Sequence, residues 1–241
     1  MVKFISVLFI GIFMSINSAG ANVLITDTKI ISIPIRENHD PMIDLKDHPG
    51  LVYGPSPEIP NNTDYTKMRK TVYEKILEAQ RLLPKGLHFC LYEGYRSLTL
   101  QKMLFDNRFE KIQKLHPSWT DAQVFLESTR LVSPVMHQDG TKNIPPHSTG
   151  GAFDIYLLDE NNQAIDMGIH PKDWMDDNDG SISLTASTKI SKTAQENRKI
   201  MSAALSAVGF ANYTAEYWHW SYGDRYWAHQ LGKAEAVYDS Y

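Results

Sequence analysis

A single cysteine, Cys90, stands in the 241 residues. One thiol cannot close an intrachain disulfide, so the chain must be held together by its own core or by a bound metal. An excess of positive charge is also missing: 24 Lys and Arg face 28 Asp and Glu, for a net charge of −4. This excludes nucleic acid as an electrostatic partner, because there is no surplus of cations to neutralise phosphates. Low-complexity tracts and internal repeats are absent from the sequence, and a hydrophobic content of 42% at this length is enough for one self-sufficient core. Long apolar runs are lacking except at the start. Residues 4–16 form an uncharged, mostly apolar stretch behind Lys3, and Ala19-Gly20-Ala21 follows with the small-x-small pattern that signal peptidase reads. That stretch is shorter than the roughly 20 residues a spanning helix needs. The expectation is a signal peptide over 1–21 and a single exported domain over 22–241, periplasmic or secreted, with no stable membrane insertion after cleavage. With no cysteine near the cleavage site, a lipid-modified N-terminus is excluded.

Along the remaining chain, residues 23–35 are rich in β-branched side chains and predict an N-terminal strand. Six of the twelve prolines then fall between Pro34 and Pro60, which makes 22–65 an irregular segment packed on the domain. Met68, Val72, Ile76, Leu77 and Leu83 recur at near-helical spacing and predict an amphipathic helix over 66–83. Residues 87–92 predict a short strand carrying Cys90 as a small buried hydrophobe, with a catalytic thiol as the rarer alternative. Helices are expected over 98–116 and after Thr120, where Thr120 and Gln123 have capping-box spacing. Residues 133–149 form a polar loop, 152–158 a strand, 169–190 an irregular stretch, 191–208 a helix stopped by Gly209, and 213–222 an aromatic last strand. Helices and strands mix without βαβ alternation. The fold class is therefore α+β, a small, mostly antiparallel sheet flanked by helices.

Two segments hold the atoms of a metal site. The first runs from His147 to Asp154, and the second is Glu216-Tyr217-Trp218-His219. Two imidazoles and a carboxylate suit zinc, and a catalytic zinc keeps three protein ligands and one open position. His147, Asp154 and His219 are the candidate ligands at the sheet. Glu216 is left as a carboxylate near the metal but not on it, which is where a general base for an attacking water belongs. Spacing alone leaves the ordinary alternatives open: a loop histidine, an edge carboxylate, two polar positions in an aromatic strand. In a regular strand residues three apart point to opposite faces. Glu216 and His219 can therefore serve one site only if the backbone is irregular between them, and such an irregularity is expected.

His147-x-x-Gly150-x-Ala152-x-Asp154, with Glu216-x-x-His219 far downstream, resembles the zinc D,D-peptidases that include the vancomycin-resistance type D-alanyl-D-alanine dipeptidases. Glu93-Gly94-Tyr95-Arg96-Ser97, Met167-Gly168 and Asp173-Trp174-Met175-Asp176 extend the resemblance, in order, over roughly residues 44–227. It implies one Zn2+ per chain on His147, Asp154 and His219, Glu216 as the acid/base, and Arg96 facing the carbonyl under attack. Asp173 would hold the free ammonium of a dipeptide, and Ser148 would lie against the substrate. The family pattern has Ser where Pro145 stands here, which removes one hydroxyl near the expected amine site. The implied reaction is hydrolysis of D-Ala-D-Ala or of a peptidoglycan-derived peptide. The alternatives are a D,D-carboxypeptidase or endopeptidase on peptidoglycan stems, which needs a more open groove, and a non-enzymatic zinc-stabilised binding module, which has no need of Glu216 or Arg96.

Overall fold

In a computed structural model the structure describes residues 23–241; the expected signal peptide lies outside the described residues. No helix among these is long and apolar enough to cross a membrane. The elements in chain order are α1 (Thr28–Ile31), β1 (Met42–Asp44), β2 (Val52–Tyr53), β3 (Lys67–Arg69), α2 (Lys70–Gln80), β4 (His88–Glu93), α3 (Leu98–Leu115) and α4 (Asp121–Ser128). They continue with β5 (Ala152–Leu158), α5 (Lys192–Ala207), β6 (Ala211–Asn212), β7 (His219–Ser221) and α6 (Arg225–Gln230). Five strands form one sheet in the order β2-β4-β5-β7-β6. Only β2 runs parallel to its neighbour; the other pairs are antiparallel. The protein is thus a mixed α+β fold with a mostly antiparallel sheet.

The sheet has one apolar face and one chemical face, and strand alternation makes the division. Along β5, Phe153, Ile155 and Leu157 enter the core with Phe89 and Leu91 of β4 and Trp220 of β7. Val72 and Ile76 of α2 and Met201 and Leu205 of α5 cover this face. Each such side chain, fully buried, contributes on the order of 1.5–3 kcal/mol. The opposite face carries Asp154 and His219, which are direct cross-strand partners. Helix α3, capped by the Ser97 hydroxyl, and helix α4, with the Thr120–Gln123 capping box formed, build a second apolar cluster around Leu104, Phe105 and Val132 above that face.

Several expectations are corrected. Residues 23–35 are not a strand: the Asp27 side chain accepts from the Lys29 N–H and starts the short helix α1, and only Ile35 makes a bridge, to Ala236. Ile25 and Ile30 are buried against Tyr213 and Tyr226 instead of in a ladder. The helix expected from 66 begins at Lys70, because Lys67–Arg69 pairs with β1. Met68 fits the helical spacing yet is a buried strand residue. The strand expected over 213–222 shrinks to β7, with a turn before it, and pairs with the unforeseen β6. Helix α6, capped by Asp224, was also not legible in the apolar pattern. Cys90 is buried in β4, and burial pushes its thiol upward, as expected of a structural residue.

Candidate metal centre

Asp154 sits in the middle of the chemical face, and its two neighbours across the sheet are His219 on β7 and Glu93 on β4. Glu93 reaches this row through a register shift between Leu91 and Glu93. Without that bulge it would follow Leu91 by two and share its core-facing side. His147 arrives from a 3-10 turn over Pro146–Thr149, which ends in left-handed Gly150 (φ +71°) just before β5. Residues with a Cβ rarely adopt that conformation, so the glycine of the motif is required by its backbone angle.

The expected irregularity between Glu216 and His219 is present. The Glu216 N–H donates to the Tyr213 carbonyl (2.8 Å) and the His219 N–H to the Glu216 carbonyl (3.2 Å), so a turn runs directly into β7. The Asn212 side-chain amide braces that turn by donating to the Glu216 and His219 carbonyls. Glu216 Oε2 is thereby brought to 3.9 Å from His219 Nδ1.

The three candidate ligands converge. His147 Nε2 lies 3.1 Å from His219 Nδ1 and 3.3 Å from Asp154 Oδ1, and His219 Nδ1 is 3.2 Å from Asp154 Oδ1. With ligand bonds of about 2.0–2.1 Å, the edge of a tetrahedral zinc site is about 3.3–3.4 Å. The triangle therefore has the size one zinc ion requires. His147 Nδ1 donates to the Gly94 carbonyl at 2.7 Å, which leaves the lone pair of Nε2 pointing at the other two donors. Asp154 Oδ1 is buried without a hydrogen bond, a state that a cation between the three groups would relieve. Among the described residues, His147, Asp154 and His219 form one buried group able to hold a metal ion, and their donor set fits one zinc per chain.

The electrostatics follow from burial. Desolvation, assisted by His147, lowers His219 below the usual histidine range and keeps it neutral, as a metal ligand must be. Glu216 goes the other way: desolvation first and the Asp154 charge second push it well above the usual carboxylate range, against the pull of Arg96 and Arg108. Arg96 lines the same cavity and stays a cation despite its burial, because Glu93 pairs with it. Its Nε donates to Glu93 Oε2 at 3.1 Å, its Nη2 donates to the same oxygen, and its Nη1 donates to Gln101 Oε1 at 3.0 Å. Gly94 belongs to this arrangement as well: a Cβ there would meet the Lys67 carbonyl at 2.4 Å, so only glycine lets the segment that carries Arg96 lie against β3.

Ser148 and Asp173 are not brought to the cavity. The Ser148 hydroxyl is fully buried and donates to the Arg96 carbonyl at 2.9 Å, tying two site loops together. Asp173 is half-buried in a 3-10 turn over Pro171–Asp176, and it is the next residue, Trp174, that lines the cavity. Pro145 precedes the His147 turn and makes no side-chain cap. Sequence reasoning missed Glu93 and Gln101, the partners that aim Arg96; the three-residue spacing from Glu93 to Arg96 was the available clue. It also missed Glu58, a third cavity carboxylate beside Asp154 and Glu216, for which the proline-rich segment held no clue. The last omission is Asp224. Its Oδ2 and His219 Nε2 are both buried without a hydrogen-bond partner, and the Asp224 charge acts on His219.

A cleft holding a buried two-histidine, one-aspartate donor triangle, with a carboxylate and a guanidinium beside it, has the make-up of a hydrolytic metal site. The chain belongs to the peptidase family described as D-Ala-D-Ala dipeptidase, whose model matches residues 63–236. A D-alanyl-D-alanine dipeptidase of Synechocystis sp. is 24% identical over 228 residues, covering 84% of this chain and 90% of that protein. Among solved structures, the chain resembles the LD-carboxypeptidase LdcB (TM-score 0.42, 17% identity, 83% of this chain and 79% of that one). It also resembles VanYB in complex with D-alanine-D-alanine (TM-score 0.40, 17% identity, 75% and 86%).

Proposed function

We propose that this protein is an exported, zinc-dependent D,D-dipeptidase that hydrolyses free D-Ala-D-Ala, with Glu216 as general base and acid. The observation that carries the reading is enclosure. His147, Asp154, His219 and Glu216 are each 6% exposed or less and line one cleft. Such a site suits a ligand of dipeptide size better than a cross-linked stem peptide, which needs an open groove.

Zinc, when bound, supplies positive charge that polarises the peptide carbonyl and acidifies a nearby water. Glu216 takes the proton from the water as it attacks, holds it, and delivers it to the leaving amine. Arg96 has five N–H donors, of which Glu93 and Gln101 engage three, so two remain to meet the oxyanion from a guanidinium that cannot turn. The buried walls exclude bulk water, which strengthens each of these interactions.

The test is to load purified protein with zinc and compare free D-Ala-D-Ala with an N-acylated peptide ending in D-Ala-D-Ala. The free dipeptide is expected to be the better substrate. Preferential cleavage of the acylated peptide would make the protein a D,D-carboxypeptidase, and hydrolysis of neither would make it a binding module.

A further inference from the structure

Two of the three metal donors take their spacing from the sheet, because Asp154 and His219 are cross-strand partners on β5 and β7. His147 sits in a 3-10 turn outside the sheet and needs an anchor of its own. On the inner side its turn is tied to the segment that carries Arg96: the Arg96 N–H donates to the His147 carbonyl at 3.3 Å, and the Ser148 hydroxyl donates back to the Arg96 carbonyl. On the outer side the turn is held by two residues that do not line the cavity, Arg69 and Tyr241. The three carbonyls that follow His147 are all taken up by them. Ser148 accepts from the Tyr241 N–H (2.9 Å), Thr149 from Arg69 Nε (2.8 Å) and Gly150 from the Arg69 backbone N–H (2.9 Å).

Arg69 is the last residue of β3 and is buried. All five of its side-chain N–H donors are engaged. Besides the bond from Nε to Thr149, Nη1 donates to Glu37 Oε1 at 3.2 Å and to the Asp40 carbonyl at 2.7 Å, while Nη2 donates to Glu37 Oε2 at 3.1 Å and to the Asp239 carbonyl at 3.3 Å. The paired Glu37 carboxylate balances the charge, so no bare cation is buried. The guanidinium carbon also lies 4.9 Å from the centre of the Tyr238 ring and 5.4 Å from that of Tyr241. One side chain therefore joins the proline-rich segment, the segment 237–241 and the donor turn. Lysine, with three donors at a single point, cannot span these acceptors. A planar fork fastened at every donor is fixed in one orientation, and it fixes the backbone of the turn with it.

We infer that Arg69 is a positioning residue of the metal centre: with the Tyr241 N–H it holds the backbone that follows His147 and so keeps Nε2 in the donor triangle. The inference rests on the reading of His147, Asp154 and His219 as zinc ligands and is independent of which peptide is cleaved. The experiment measures zinc affinity by chelator competition on native protein, and Tm in chelator alone, for Arg69→Lys, Tyr241→Pro and Tyr73→Phe. Tyr241→Pro removes the N–H that meets the Ser148 carbonyl, at a residue 67% exposed, and so tests the turn without disturbing the core. Tyr73→Phe is the control, because it removes a hydrogen bond from the Tyr73 hydroxyl to the Pro49 carbonyl (2.7 Å) that touches no part of the donor turn. Arg69→Lys is expected to weaken zinc by about 10- to 100-fold, the usual cost of losing a partner that orients a metal ligand. Tyr241→Pro should weaken it by about 3- to 10-fold, the worth of one hydrogen bond. Tyr73→Phe should lower Tm in chelator and leave zinc affinity unchanged. Full zinc affinity in either Arg69→Lys or Tyr241→Pro, whatever happens to Tm, overturns the proposal, as does a Tyr73→Phe variant that loses zinc to the same degree. If Arg69→Lys does not fold, Tyr241→Pro decides alone. An unsubstituted protein that takes up no zinc removes the metal reading and this proposal together, whereas undiminished affinity in all three variants removes the proposal alone.

Discussion

Zinc should stabilise this fold by an amount set by its free concentration, and only through the donor triangle. The three donor atoms come from a turn before β5, from β5 and from β7, and they already stand 3.1–3.3 Å apart. Binding therefore needs little rearrangement, while unfolding scatters the ligands and releases the ion. At a free zinc concentration one hundred times Kd, linkage gives about 2.7 kcal/mol. For a domain of 150–250 residues, at about 2–4 °C per kcal/mol, Tm should rise by about 5–11 °C. The assay is thermal unfolding in zinc buffers of defined free concentration, with a chelator as the zero point. His147→Ala should flatten the response. Glu216→Gln should keep it in full while turnover falls by about 10²–10⁴-fold, because Glu216 lies outside the triangle. An unsubstituted protein indifferent to zinc, or a His147→Ala variant that responds as strongly, refutes the assignment of the ligands. A Glu216→Gln variant that loses the shift refutes the separation of base from ligand.

Arg96→Lys cannot reproduce the paired contacts to Glu93 and Gln101; turnover of D-Ala-D-Ala should fall by about 10²–10³-fold, with the zinc-dependent Tm rise unchanged. Asp224→Asn removes the buried charge that acts on His219 and should weaken zinc by about 10- to 100-fold in a competition titration. Glu37 provides a pH test away from the metal. Burial alone would raise it, but the backbone N–H groups of Asp239 and His39 and the Arg69 charge outweigh burial and lower it from 4.5. Its stabilising effect is therefore complete above pH 4.5 and is lost as pH falls through the lower folded value. Urea midpoints from pH 6 to pH 3 should decline less steeply for Glu37→Gln, and parallel curves would count against this role.

Local pattern was enough for much of this protein. The apolar spacing of α2, α3 and α5, the capping box at Thr120 and the run of β5 are carried by neighbours a few residues apart, so periodicity and caps reveal them. The candidate metal donors were legible because each stands in a short motif of distinctive chemistry, and strand parity alone demanded the break between Glu216 and His219. Partners distant in sequence decided the rest. Residues 23–35 have the composition of a strand, but Asp27 caps a helix there and only Ile35 makes a bridge; Met68 fits a helix yet pairs with β1. A single inserted residue at Tyr92 turns Glu93 from the core toward Asp154, and nothing local marks it. Glu58, 89 residues before the nearest metal donor in sequence, enters the cavity lining because β2 lays its segment alongside β4. Composition and motif name the atoms the chemistry needs; register and packing, which depend on the whole chain at once, decide which of them face one another.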